Sequence, residues 1–323
     1  MNTKAKPFIK WVGGKGQLIE QLEAKLPADF DHWENATYIE PFVGGGAMLF
    51  YMLQQHPNIK RAVINDINSD LMTCYRTVRD HVEELIPALQ DIQAHYYALQ
   101  DMEAKREMYM AVRQRYNEKN LDPIENTAKF FFLNRTCFNG LYRVNRKGLF
   151  NVPCGKYMQP QICDRDTLRA DSELLKRVEI LEGDFEDTLL YAQGRTFFYL
   201  DPPYRPLSDT SNFNDYAKEA FNDESQVRLK EFCDRVVADG HSFMLSNSDG
   251  KGKNEADNFF EVLYADYYID RVMASRNVNA NGAGRGKISE LLVHSYRDTK
   301  DCQTTQIIGH SPHRMAIELR AYA

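Results

Sequence analysis

The chain reads as an α/β protein whose strand–helix core is interrupted by a helical, basic lobe. Apolar runs bounded by turn residues alternate with helical stretches near both ends of the sequence, the pattern of β-α-β units. Between them, from Ser69 to about Asn120, apolar residues recur at three- and four-residue spacing, which is the helical period. A length of 323 residues accommodates one large α/β domain, or a core domain carrying an inserted lobe.

A first strand is expected over Tyr38-Ile39-Glu40-Pro41-Phe42, followed by the loop Val43-Gly44-Gly45-Gly46 and a helix from Ala47 to about Gln55. A second strand, Arg61 to Asn65, ends at Asp66 and completes a β-α-β start. Past the helical stretch, Asp122-Pro123-Ile124-Glu125 reads as a helix start that carries the chain through Ala128 to Asn134 and into a basic segment. Strands are then expected at Val178 to Leu181 and Thr196 to Leu200, with a helix near Glu224 to Asp239. Strands at Ser242 to Ser246 and Tyr267 to Ser275 follow, and Ile288 to Tyr296 closes the sheet.

Hydrophobic content of 43% and charged content of 27% suit a soluble globular protein, and no stretch approaches the length of a membrane-spanning helix. The first seven residues are not followed by an apolar signal-peptide core, which predicts a cytoplasmic protein. Six scattered cysteines form no Cys-x-x-Cys pair and have no His partners at zinc spacing, so they read as reduced packing residues, and no metal site is expected. A net charge of −6 argues weakly against nucleic acid. The charge is nevertheless segregated. From Lys129 to Cys163 there are six Lys or Arg and no acid, and from Arg271 to Ser289 there are four, again without an acid. Windows of this kind are either solvated faces or a groove for phosphates.

The most informative stretch is Phe197-Phe198-Tyr199-Leu200-Asp201-Pro202-Pro203-Tyr204. An apolar strand there delivers a carboxylate, two prolines and an aromatic ring to one corner, at the carboxyl end of a strand, where open α/β sheets bind ligands. The prolines lack N–H groups and hold their neighbours extended, so carbonyls are left free to accept. Such a corner suits a flat ring bearing an amino group.

Gly44-Gly45-Gly46 after a strand lets the backbone approach a ligand and opens a helix N-terminus toward it. Asp66 lies 22 residues beyond Gly44, where such folds place a carboxylate that accepts from ribose hydroxyls. The dinucleotide fingerprint fails because Leu49 stands where its last Gly belongs, and Lys10-Trp11-Val12-Gly13-Gly14-Lys15-Gly16 fails the Walker pattern at Gly16. A nucleoside site without pyrophosphate, combined with a holder for a planar amine, fits S-adenosylmethionine and an exocyclic amino group. Inside a duplex, such a base has to be flipped out to reach the corner.

These residues match a known family: the chain resembles Dam-type DNA adenine methyltransferases, which methylate the adenine amino group in GATC. The resemblance runs from about Phe8 to Tyr296. It is carried by Lys10 to Lys15, Glu40 to Gly46, Asn65-Asp66-Ile67-Asn68, Asn134-Arg135 through Asn151-Val152-Pro153, Gly183-Asp184-Phe185, Asp201 to Tyr204, and Arg285 to Glu290. It implies a class I S-adenosylmethionine-dependent methyltransferase fold, a Rossmann-like sheet with an inserted helical and hairpin DNA-recognition domain. Residues 1–68 and 178–297 would form the catalytic core and 69–177 the target-recognition domain, while 298–323 is an extension without an assigned role.

The resemblance further implies that Asp201, Pro202, Pro203 and Tyr204 form the catalytic corner. Trp11, Lys15, Phe42, Gly44, Gly46, Asp66 and Asp201 would contact the cofactor, with Asp184 and Phe185 near its adenine. Duplex DNA is the implied partner, read by Lys10, Asn139, Leu141, Arg143 and Pro153, with Asn139-Gly140 expected to be both the hairpin turn and a reading element. Arg143 suits a bidentate contact to guanine, and Leu141 and Pro153 suit the thymine methyl. Arg135 and Arg146 look like phosphate contacts, and Phe138 would wedge into the stack where some relatives have Tyr. A restriction endonuclease is compatible as a partner system. Three readings stay open beside this one: methylation of another amino group, a non-catalytic DNA-binding relative, and a nucleotide-dependent oxidoreductase. Asp201 favours adenine over cytosine N4 or glutamine, and the missing fingerprint disfavours the last.

Overall fold

The structure, a computed structural model, describes residues 3–205, 221–252, 254, 256–275 and 287–297. A short helix α1 (Ile19–Glu23) precedes the first unit, in which β1 (Ala36–Glu40), α2 (Ala47–Gln55) and β2 (Ile59–Ile64) follow one another. The first strand ends two residues before the expected Phe42. Pro41 has no N–H to give the ladder, and the last paired residue is Glu40, opposite Ile64.

Four helices come next: α3 (Ser69–Asp80), α4 (Val82–Ala98), α5 (Met102–Tyr116) and α6 (Pro123–Thr136). Three of them begin at side chains that accept the first free backbone N–H groups: Asn68 from Leu71, Asp101 from Ala104, and Asp122 from Ile124 and Glu125. Pro123 takes the first helical position, where no N–H is needed. Beyond α6 lies an irregular hairpin, and then α7 (Arg165–Leu175), which the periodicity does not predict. Its buried face mixes Leu168 and Leu175 with the polar Thr167, Asp171 and Ser172, so its apolar stripe is thin.

The remaining elements are β3 (Val178–Ile180), β4 (Thr196–Leu200), α8 (Asp223–Ala238), β5 (Ser242–Ser248), α9 (Phe259–Leu263), β6 (Tyr268–Ser275) and β7 (Lys287–His294). The seven strands form one sheet in the order β3-β2-β1-β4-β5-β7-β6. The first five pair in parallel, and β7 runs antiparallel between β5 and β6. The last strand therefore does not close the sheet, as its position in sequence suggested; β6 forms that edge. This is the class I S-adenosylmethionine-dependent methyltransferase fold.

Alternate residues of the central strands feed two cores. Tyr38, Phe197 and Tyr199 face the cluster shared with α2, α3, α6 and α7, while Ile39, Phe198 and Leu200 face the one under α8 and α9. A strand buried on both faces has to be apolar throughout, which is why Thr196 to Leu200 stands out in the sequence. Among the described residues, no helix is long and apolar enough to cross a membrane.

Candidate active site

The segment before α1 is strapped down by helices α6 and α7. Lys6 N donates to Asp171 Oδ1 at 2.9 Å, and the Arg135 guanidinium donates to Phe8 O at 2.7 Å. Asn134 brackets Lys10, accepting from Lys10 N at 2.8 Å and donating to Lys10 O at 2.8 Å and Gly140 O at 3.1 Å. Arg135 is half-buried and committed to a backbone carbonyl, and burial lowers its pKa. One of its N–H groups is thus used to position this segment, a second task beside the expected phosphate contact.

Asp171 is fully buried, and burial pushes its pKa up to about 8, with the charge of Asp164 adding to the rise against the Lys6 N–H. The folded state thus binds a proton that an unfolded Asp releases near pH 4. Its stabilising contribution is complete below pH 4 and is lost as pH rises toward 8, at up to about 1.4 kcal/mol per pH unit. Asp171→Asn is expected to flatten that decline. Thermal melts of both proteins from pH 4 to 9 check it, and parallel curves would refute it.

From Lys10 the segment passes three places in turn. The Lys10 stem packs on Gly140, where an added Cβ would lie 2.5 Å from Lys10 Cδ. Trp11 lies flat on the glycine loop, 2.8 Å from a Cβ built on Gly44 and 2.9 Å from one on Gly45. Lys15, 5% exposed, reaches Asp201.

The glycine loop follows β1. Gly44 and Gly46 have positive φ (48° and 73°), and a side chain on Gly46 would strike Tyr75 Oη at 2.5 Å. Asp66 ends the neighbouring strand and accepts from Gly44 N at 3.2 Å and Asn68 N at 3.0 Å; burial raises its pKa, and those N–H groups oppose the rise. Asn65, buried beside it, donates to Pro41 O and Gly183 O and so ties this loop to the one after β3. In that second loop Asp184 pairs with Arg228 at 2.5 Å, and Phe185 packs its ring 5.2 Å from that of Phe42. The expected cofactor residues thus converge: a backbone cradle only Gly can line, a carboxylate at the next strand end, and flanking rings from Trp11, Phe42 and Phe185. That donor set fits a nucleoside bearing a short charged chain.

The Asp201 corner stands at the end of β4. Asp201 Oδ1 is 2.9 Å from Lys15 Nζ, and the Tyr204 hydroxyl contacts Lys15 and donates to Glu290 Oε2 at 2.6 Å. Burial pushes the Asp201 carboxyl up to about 6, Lys15 pulls it down, and Glu290 adds a smaller upward push. It is therefore mostly ionised at neutral pH and able to accept. Behind it, burial pushes Glu40 up to about 8 despite the hydrogen bond from Tyr38 Oη at 2.6 Å, which keeps that carboxyl protonated.

The hairpin beyond α6 has no continuous ladder: two isolated bridges, Cys137 to Cys154 and Val144 to Phe150, are joined by bonds such as Phe138 N to Pro153 O at 2.9 Å and Asn151 N to Arg143 O at 3.1 Å. Its tip is Asn145 to Gly148, not Asn139-Gly140: Asn145 N donates to Leu149 O at 2.9 Å, and its side chain accepts from Lys147 N and Leu149 N. Asn139 and Gly140 instead turn the chain out of α6 with φ of 56° and 64°. Phe138 is 52% exposed and Asn139, Arg143, Arg146 and Pro153 are exposed, whereas Leu141 is half-buried. Arg143 Nε donates to Asn151 Oδ1 at 2.8 Å across the hairpin. The basic windows are less open than composition suggested, since Lys129 pairs with Glu125, and Arg271 with Asp249 and Glu261. Arg276 and Arg285 lie outside the described residues, as does the 298–323 extension.

Residues 11–278 match the D12 class N6 adenine-specific DNA methyltransferase family. The chain belongs to that family. It is 45% identical over 296 residues to the type II methyltransferase M.MjaIII of Methanocaldococcus jannaschii, covering 91% of this chain and 100% of that one. It is 38% identical to the type II methyltransferase M1.LlaDCHI of Lactococcus lactis subsp. cremoris, over 90% and 95% of the two chains. Against a DNA adenine methylase of Vibrio cholerae the identity is 32%, over 90% and 96%.

This D12-class enzyme is an adenine-specific DNA methyltransferase whose methyl donor is S-adenosylmethionine. Several of its polar anchors carry no assignment in the sequence. Glu290 and Glu40 sit inside motifs without a role of their own, and Asn65 and Asn134 look like ordinary strand-end and helix residues. The available signal was an acid or amide within an otherwise apolar run, a residue that is costly to bury without a partner. Asp70 and Tyr142 form a further link. Tyr142 Oη donates to Asp70 at 2.9 Å while its ring stacks 5.6 Å from that of Trp11.

Proposed function

We propose that the enzyme methylates the N6 amino group of adenine within duplex GATC, after flipping the base into the Asp201 corner. The observation that carries this reading is the run Lys10 to Lys15, which touches the base of the hairpin, the glycine loop and Asp201 in succession. Sequence reading and chemistry therefore share one short stretch of backbone. Bound S-adenosylmethionine would supply an electrophilic methyl group, held by the Gly44 to Gly46 cradle, Asp66 and the rings of Trp11 and Phe42. Asp201 and the Pro202 carbonyl would accept the two amino hydrogens and draw the nitrogen lone pair out of the ring, while Tyr204 stacks on the base.

Residues 69–177 act as the target-recognition part in this reading, and the rest of the described chain as the catalytic part. GATC itself is supported by the exposed hairpin residues and by the resemblance to Dam-type enzymes. The type II names of two relatives support a setting beside a restriction endonuclease in the cytoplasm.

Labelled methyl transfer to duplexes differing at one base pair tests the reading. Transfer to GATC and its loss at each single change is the expected result; transfer to another sequence, or to RNA, overturns it. Arg143→Ala is expected to relax discrimination at one guanine by roughly 1–3 kcal/mol. Equal weakening on every sequence would make Arg143 a phosphate contact instead.

A further inference from the structure

We infer that Glu290 is a positioning residue for methyl transfer, fixing Tyr204 and Lys15 and thereby the charge against which Asp201 works. The inference rests on the reading of the Asp201 corner given above. Glu290 is on β7, paired on both sides, opposite Ser248 of β5 and Val272 of β6. Its carboxylate is thus delivered by an interior strand rather than by a loop. Oε2 accepts from Tyr204 Oη at 2.6 Å and lies 3.5 Å from Lys15 Nζ. Lys15 in turn lies 2.9 Å from Asp201 Oδ1 and 4.4 Å from the centre of the Tyr204 ring.

One ammonium therefore serves two carboxylates. Both are largely screened from water, with side chains 22% exposed at Asp201 and 15% at Glu290. Such a shared cation neutralises neither acid fully, so each charge is felt by the other. The remaining groups that face Asp201 are Tyr199, Tyr204 and the protonated Glu40. Removing the Glu290 charge leaves Lys15 to Asp201 alone, which makes that carboxylate a stronger acid and a weaker acceptor. It also weakens the hold on the Tyr204 hydroxyl, which gives up a charged acceptor, and with it the hold on the ring that would lie against the base.

The test is the pH dependence of single-turnover methyl transfer to the duplex substrate, for the wild type, Glu290→Gln, Glu290→Asp, Tyr204→Phe, the Glu290→Gln/Tyr204→Phe double variant and Asp201→Ala. In Glu290→Gln the acid limb is expected to move down by about 0.5–1 pH unit. The plateau rate should fall about ten-fold, with little change in KM for DNA or cofactor. Glu290→Asp, which keeps the charge on a shorter arm, should hold the limb at its wild-type position while still lowering the plateau, and that split carries the test if the Gln variant does not fold. The rate losses of Glu290→Gln and Tyr204→Phe should not add, because one acts through the other. An unmoved acid limb with an unchanged plateau, or an effect confined to KM, overturns the inference. Turnover retained in Asp201→Ala would instead overturn the corner reading, so the two failures are distinguishable.

Discussion

Asp201→Ala is expected to lower single-turnover methyl transfer by about 10³-fold or more, the scale of losing a preorganised group at the reacting centre. DNA and cofactor binding should be largely retained. The reason lies in where the side chain sits: at the end of β4, half-buried and, among the described residues, paired with Lys15. Removing it leaves Lys15 paired with Glu290, so no unpaired buried cation is created. Among the described residues, Asp201 pairs with Lys15 and the Gly44 cradle with Asp66, so the cradle and the hairpin should keep their shape. Rapid-quench transfer assays beside equilibrium binding check both halves, and wild-type turnover would remove Asp201 from the chemistry.

Asn134→Ala is expected to destabilise the fold by ~2–4 kcal/mol, among the larger costs of a single polar substitution. Three hydrogen bonds are lost at once, and the Lys10 N–H, Lys10 O and Gly140 O they satisfied are left partly buried. Because those groups belong to the strap and to the exit from α6, activity should fall further than the population of folded protein. Urea unfolding midpoints read the first effect, and transfer rates of the folded fraction read the second. An unchanged midpoint would show that the strap holds without Asn134.

The sheet and the two ends of the site were legible because their residues obey strong local rules. Thr196 to Leu200 is apolar on both faces, Gly44 and Gly46 occupy positive φ, and Asp122-Pro123 carries its own capping chemistry. Less was legible where tertiary partners decide. Helix α7 buries Asp171 and Ser172, so its inward face looks like an outward one. Arg135, read by charge, turns inward because Phe8 O needs a donor. Nothing local to Asn139-Gly140 says that the hairpin tip lies six residues further on, at Asn145. Glu290 was invisible as a site residue for a similar reason: its partners lie 86 and 275 positions away, at Tyr204 and Lys15.

The early strap also shapes how the enzyme is made. Lys6, Lys10 and Lys15 are synthesised well before the side chains that seat them, Asn134, Asp171, Asp201 and Glu290. During synthesis the lysines and Trp11 must wait unpaired, and contacts of such long sequence separation form slowly. A nascent chain released short of β7 would keep most of the parallel sheet but lack the carboxylate that completes the corner. The corner around Asp201 is thus completed only once β7 follows the five parallel strands.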